Sequence, residues 1–281
     1  MTDWRTWQAG GGIVSADDTG LFIRQAGAGP DLVCFHGFPT SSYDWHRLLP
    51  LLAGRFRVTV FDFPGYGLSD KPPSRDYSIF RQCDAAQALL ETLEIRRAHL
   101  LAHDMGVTVA CELLARLAAG ASAPALDTVT LLNAGLYMDL HQPLITQRLL
   151  RMPRLGAVVG RFASRRLFMH QYPQVYAAPE AFDATHYESQ WQLLIHNHGR
   201  RVLHRVAGYM RERVRHHPRW IGALQTCPLP LTLIWGMADR IAVPAIVKRA
   251  ARELPAARII RLPGIGHYPQ LEAPAEVARA L

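Results

Sequence analysis

Ala102-His103-Asp104-Met105-Gly106 closes an apolar run and opens an alanine-rich segment of helical periodicity. A strand that turns sharply into a helix holds the residue at its apex on a tight, strained turn and presents that side chain at the strand end. Such a junction commonly reads G-x-S-x-G; here an aspartate stands in the serine's place. The exchange changes the expected chemistry. A carboxylate attacking an ester carbonyl would form a mixed anhydride, a poor intermediate for ester hydrolysis. A carboxylate attacking a saturated carbon forms a stable alkyl ester, which activated water then cleaves. The junction therefore points to epoxides or alkyl halides rather than esters.

Working outward, short apolar or β-branched runs alternate with longer helical patterns. Leu21–Gln25, Asp31–Phe35, Phe56–Phe61, Ala98–Ala102, Val129–Leu132, Leu231–Trp235 and Arg258–Leu262 read as strands. The runs at 31, 98, 129 and 231 are nearly continuous in apolar residues, as in strands covered on both faces. Ser42–Leu52, Ser78–Leu93, Met105–Ala119 and Val243–Leu254 read as helices, with Tyr43 and Trp45 packing the first. Alternation of this kind predicts an α/β chain with a mostly parallel, doubly wound sheet.

Residues 136–220 break the pattern. They read as wholly helical, interrupted by Pro143, Pro153, Pro173, Pro179 and Gly199, so an all-helical cap is expected there. The core is then 1–135 together with 221–281. The cap also carries the charge: 13 arginines, no lysine and 5 acidic residues, an excess equal to the +8 of the whole chain. Such a segment suits an anionic substrate, a membrane surface or nucleic acid, or is simply a solvated helical face. No nucleic-acid motif or spaced aromatic platform accompanies it, so no nucleic-acid partner is expected.

With 281 residues and 49% hydrophobic content, the chain can bury one large core or a core plus a lid. No apolar run is long enough to span a bilayer, and no signal-peptide pattern precedes Gly10-Gly11-Gly12. Cys34, Cys83, Cys111 and Cys227 are widely spaced without a CxxC pair, which reads as free thiols in a reducing compartment. A cytoplasmic monomer or homodimer is the expectation. The closing Glu276–Leu281 reads as the middle of a helix, so a few further C-terminal residues are expected.

The remaining motifs fall at strand ends. Phe35-His36-Gly37-Phe38-Pro39 follows the strand at 31, and Asp62-Phe63-Pro64-Gly65-Tyr66-Gly67-Leu68-Ser69 the strand at 56. His103-Asp104-Met105-Gly106 follows the strand at 98, while Gly236-Met237-Ala238-Asp239 and Gly266-His267-Tyr268-Pro269 follow the last two. Ligands bind at these ends in open α/β sheets. Singly, each has a plainer reading: Asp104 as a helix N-cap, Asp239 and His267 as turn or satisfied polar residues, and glycines 65, 67 and 106 as ordinary turn residues. Asn133, after the strand at 129, is a further polar group near the site. His196-x-His198 lacks a third ligand at metal-site spacing, so neither metal nor cofactor is expected.

Taken together, these motifs resemble the α/β-hydrolase superfamily over essentially the whole chain. The resemblance implies the α/β-hydrolase fold, with the cap inserted after the sixth strand. It also implies a triad in which Asp104 is the nucleophile, His267 the base that activates water, and Asp239 the acid that orients the imidazole. The amides of Phe38 and Met105 would form the oxyanion hole. The Asp elbow resembles the epoxide hydrolase and haloalkane dehalogenase branch. Dehalogenases generally place Asn after the His-Gly and Trp after the nucleophile, where Phe38 and Met105 stand here. Neither can donate a side-chain hydrogen bond to a halide, and His36-Gly37-Phe38-Pro39 instead matches the epoxide hydrolase pattern.

More narrowly, the chain is similar to the mesoderm-specific transcript family and its bacterial relatives. That likeness rests on His103-Asp104, Leu132-Asn133-Ala134-Gly135, Gln142-Pro143-Leu144-Ile145, Arg219-Trp220-Ile221-Gly222-Ala223-Leu224 and His267-Tyr268-Pro269-Gln270-Leu271-Glu272. These proteins are described as epoxide-hydrolase-like. In epoxide hydrolases cap tyrosines protonate the opening oxygen. The cap offers Tyr137, Tyr172, Tyr176, Tyr187 and Tyr209, of which Tyr209 is the first candidate and Tyr172 and Tyr176 the next. The expected partners are a small-molecule substrate and water. Hydrolytic dehalogenation by the same triad and a hydrolase fold reused for ligand binding or interaction are the rival readings.

Overall fold

The computed structural model describes residues 2–281. One eight-stranded sheet runs through it in the order β1-β2-β4-β3-β5-β6-β7-β8. The strands are β1 (Gly12–Ala16), β2 (Thr19–Ala26), β3 (Asp31–Phe35), β4 (Arg57–Phe61), β5 (Arg97–His103), β6 (Ala125–Leu132), β7 (Leu231–Gly236) and β8 (Arg258–Leu262). From β4 to β8 every pairing is parallel, and β1 and β2 add antiparallel at one edge. Central strands are covered on both faces, so side chains of β3 are buried whichever way they point: Val33 and Phe35 join one apolar cluster, Leu32 and Cys34 the other. Helices α3 (Ile79–Thr92), α4 (Met105–Ala118), α11 (His217–Gln225) and α12 (Pro244–Glu253) pack the first face. The second is packed by α1 (Trp4–Ala9), α2 (Leu49–Leu52) and the closing helix Pro274–Ala280.

Between β6 and β7 lies a wholly helical stretch. It holds α5 (Ile145–Leu150), α6 (Pro153–Arg161), α7 (Arg165–Gln171), α8 (Ala184–Ile195), α9 (Gly199–Val206) and α10 (Tyr209–Arg215), with single 3-10 turns at Tyr172–Val175, Pro179–Ala181 and His196–His198. The helices break where proline or glycine was read as an interruption: Pro173 and Pro179 lie in 3-10 turns, and Gly199 starts α9. Position 220, the sequence-based end of the cap, falls inside α11. That helix is tied to the core through Glu112 of α4, whose carboxylate accepts from Arg219 Nε at 2.7 Å and Trp220 Nε1 at 3.0 Å. The Arg219-Trp220 pair is thus a packing motif.

Two differences from the sequence reading have local causes. Ser42–Leu52 is not one helix but a 3-10 turn at Ser42–Trp45 followed by α2. The Ser42 amide donates to Asp62 Oδ1 at 2.6 Å, and the Asp44 carboxylate accepts from Thr40 at 2.5 Å and Gln190 at 2.9 Å. These contacts outcompete a continuous ladder, and Pro50 suits the start of a new helix rather than the continuation of one. The second difference is β1, concealed by its glycine-rich lead. It joins β2 through a two-residue turn at Asp17-Asp18, both in the left-handed region that such hairpin turns require.

Candidate active site

The elbow between β5 and α4 places Asp104 at φ 43°, ψ −109°, a backbone conformation costly for a residue with a side chain. The turn is over-determined by its neighbours. A Cβ on Gly106 would lie 2.4 Å from the Phe35 carbonyl oxygen and 2.7 Å from that of His36, so only glycine lets α4 approach β3 this closely. A Cβ on Gly37 would lie 2.9 Å from Asp104 Cβ. His36 braces the loop opposite: its Nε2 accepts from the Phe63 amide at 3.0 Å, which leaves Nδ1 to donate to the Gly37 carbonyl at 2.8 Å. Pro39 follows through a cis peptide bond. The Phe38 amide donates to Asp104 Oδ2 at 3.1 Å. Met105 supplies the first amide of α4.

His267 and Asp239 meet at the ends of β8 and β7. His267 Nδ1 lies 2.7 Å from Asp239 Oδ2. The remaining capacity of Asp239 is filled by Asn133 Nδ2 at 2.7 Å and the amides of Ile241 at 2.7 Å and Ala242 at 3.0 Å. Asn133 Oδ1 in turn accepts from the Gly236 amide at 2.8 Å, fixing the end of β7. His103 lies beside this pair, its ring tilted 59° to that of His267 and its Nε2 2.8 Å from the His267 carbonyl oxygen. Burial alone would push the His267 imidazole down. The Asp239 carboxylate overrides this and holds it above its ordinary value. Burial takes His103 the other way, down to about 3, so that ring is neutral.

Asp104 is 2% exposed, and burial on its own would raise its carboxyl. Arg213 of α10 outweighs that, with smaller help from His267, His103 and the Phe38 amide, and the group is held at about 2. The guanidinium is anchored mainly elsewhere: Nη2 donates to the Asp104 carbonyl at 2.6 Å and Nε to Thr108 Oγ1 at 2.7 Å, while Nη2 to Asp104 Oδ1 is longer, 3.2 Å. Charge stabilisation comes with a weak hold on Oδ1.

Beyond His267 opens a cavity of about 340 Å³. Phe38, Pro39, His267, Tyr268 and Ile241 form its inner end, and mostly apolar side chains between positions 144 and 203 form the rest, with Thr146, Gln147, Ser164 and Gln171 as the polar exceptions. Asp104 does not line it; Phe38 and His267 form the wall on its side.

The three candidate tyrosines fall in different places. Tyr209 packs on Phe38, ring centroids 5.5 Å apart, with Arg213 4.6 Å over its ring. Its hydroxyl is buried beside Asp104, and burial together with the Asp104 charge raises it. Tyr172 lines the cavity, and Tyr176 stands behind it, its hydroxyl 2.9 Å from both the Tyr172 hydroxyl and His186 Nε2. Tyr137 and Tyr187 are committed elsewhere, to Arg249 at 4.2 Å and the Pro179 carbonyl at 2.7 Å. Among the described residues no group of three or more His, Cys, Asp or Glu is placed to hold a metal ion. None of their helices is long and apolar enough to cross a membrane.

A family model described as the alpha/beta hydrolase fold matches residues 30–274. The chain belongs to that family. It is 35% identical to LipZ of Mycobacterium tuberculosis, named as a hydrolase, over 98% of this chain and 96% of that one. To the mesoderm-specific transcript protein of Mus musculus it is 32% identical, over 96% of this chain and 84% of that protein. An alpha/beta hydrolase fold protein from Burkholderia ambifaria superposes with a TM-score of 0.82 at 25% identity, covering 95% of each chain. The haloalkane dehalogenase DbeA from Bradyrhizobium elkani does so with a TM-score of 0.81 at 24% identity, over 95% and 94%. The latter likeness is one of fold.

Sequence reasoning did not single out Arg213. The signal was present: Val206, Tyr209, Met210 and Arg213 share the buried face around α10, so an arginine sits at a core position. Tyr268 was read only as part of a motif, and it forms cavity wall. Asn133 was read as a polar group near the site, and it braces Asp239.

Proposed function

We propose that the protein is an epoxide hydrolase acting through an alkyl-enzyme ester on Asp104. The observation that carries this reading is a carboxylate on the strained elbow, ionised by Arg213, with the Phe38 amide already on Oδ2. In the first step Oδ1 forms a bond to a ring carbon as that carbon's bond to the epoxide oxygen breaks, and the oxygen takes a proton from a cap tyrosine. Tyr209, buried beside Asp104, is the first donor to test, and Tyr172 on the cavity wall the second. In the second step His267 takes a proton from water, and the hydroxide attacks the ester carbonyl carbon. The oxyanion forms at Oδ2, against the amides of Phe38 and Met105. Collapse releases a vicinal diol and restores the Asp104 carboxylate, and His267 returns its proton to the tyrosine. A substrate in the cavity reaches Asp104 when the Phe38–His267 wall yields, so movement of these rings is part of the proposed cycle. Residues 136–220 act as the cap and the remainder as the core.

Hydrolytic dehalogenation is the second reading. It is favoured by Arg213 alone, a charged donor beside Asp104 that could take the departing halide. Intact mass of His267→Gln after incubation with epoxides and haloalkanes separates the two. A gain equal to the whole epoxide is expected. A gain equal to an alkyl group without its halogen would replace the first reading with the second, and labelling that survives Asp104→Ala would remove Asp104 from both.

A further inference from the structure

Between residues 140 and 179 the sequence has six arginines and no acidic residue. The same stretch collects exposed apolar bulk: of the nine large hydrophobic residues exposed among those described, six are Ile145, Met152, Leu155, Val158, Phe162 and Leu167. Val158 is 54% and Phe162 75% exposed. On α6 the cause is legible. Leu155, Val158 and Phe162 recur at i, i+3 and i+7 on the outward face. The inward face carries Gly156 and Gly160: a Cβ on the first would lie 2.1 Å from the Leu150 carbonyl oxygen, and on the second 3.2 Å from that of Arg200. Rotating α6 to bury its large side chains would therefore break its contact with α9. The apolar face is locked toward solvent.

Two further facts say what covers it. Arg148, Arg154, Arg161 and Arg166 are exposed around this face, and among the described residues none forms a salt bridge; Arg165 pairs with Glu188. Phe162 and Leu167 are exposed and also line the cavity, so they mark its mouth. A second copy docked here about a two-fold axis would set arginine against arginine. An anionic bilayer meets both demands, accepting apolar side chains and attracting the charge around them.

We propose that the α5–α7 face docks on an anionic bilayer surface with the cavity mouth against the lipid. An apolar substrate dissolved in the membrane then enters the cavity without crossing water, a consequence that rests on the hydrolase reading.

The test is co-sedimentation of the full chain with phosphatidylcholine vesicles, alone or with about one-third phosphatidylserine. Partitioning should be at least about tenfold stronger on the anionic vesicles and fall as salt shortens the screening length. The double variant Leu155→Asp/Val158→Asp, on neither the cavity wall nor a salt bridge, should lose about tenfold or more. Arg154→Glu/Arg161→Glu should lose binding to anionic vesicles. Unchanged melting temperatures would establish that both variants fold. Equal partitioning on the two vesicle types, or variants that bind like the parent, would overturn the proposal. So would a dimer in the parent chain that Leu155→Asp/Val158→Asp dissolves without any vesicle binding, which would assign the face to a second copy. Binding to polyglutamate but to no vesicle would assign it to an acidic protein. Sedimentation requires no turnover, so failure of the hydrolase reading leaves this outcome readable.

Discussion

Replacing Arg213 by methionine keeps the bulk of the side chain and removes the charge that ionises Asp104. The carboxyl moves from its ordinary 3.8 to about 2 in the folded protein. At about 1.36 kcal/mol per pH unit, that is about 2 kcal/mol favouring the charged form. A lowered folded-state value contributes stability above the unfolded value of 3.8, and loses it as pH falls toward 2. With Arg213 gone, burial becomes the dominant influence and the carboxyl rises above its ordinary value. A neighbouring opposite charge is worth roughly 1–3 pH units, so the acid limb of the alkylation rate should move up by that amount. The assay is single-turnover ester formation on His267→Gln, followed by intact mass from roughly pH 4 to 8 with an epoxide that labels it. In that background the rate should stay flat to the bottom of the range, and with Arg213→Met added it should fall on the acid side. The added substitution should also destabilise the protein by about 3–5 kcal/mol at neutral pH, as it leaves a buried carboxylate without its partner. Superimposable pH profiles from two folded variants would refute the assignment of Arg213 as the group that charges Asp104.

Asp239→Asn should lower the rate of ester hydrolysis by about 10²–10⁴-fold and leave ester formation nearly intact, because the His267 ring loses its orienting partner. In the parent chain His267 is raised above 6.5, so hydrolysis should decline as pH falls through a point above that value. Stopped-flow turnover across pH in the two proteins checks both statements, and in the variant the limb should move to lower pH because burial is no longer opposed. Gly106→Ala should cost about 1–3 kcal/mol or prevent folding, since its Cβ would meet two carbonyl oxygens of the β3 end, and urea denaturation measures this.

The runs at 31, 98, 129 and 231 announced the sheet because parallel strands buried on both faces must be apolar along their length. Their parallel order also brought Asp104, Asp239 and His267 to the carboxyl end of the sheet, so three residues far apart in sequence could be placed on one side. The helices between β6 and β7 and their breaks were legible for the same local reason, as Pro173, Pro179 and Gly199 act on their own backbone. Partner choice was not. Arg213 binds Asp104 across 109 residues, and Gln190 reaches Asp44 across 146. Those contacts depend on where α8 and α10 settle over the sheet, which is governed by the summed packing of many side chains. The single helix read at 42–52 gave way to such contacts, drawn off by Asp62, Thr40 and Gln190. The cavity and its apolar mouth follow likewise from how α6 closes on α9. Periodicity and turn chemistry act within a few residues and are written locally, whereas the charge of Asp104 and the shape beside it arise only when distant helices pack.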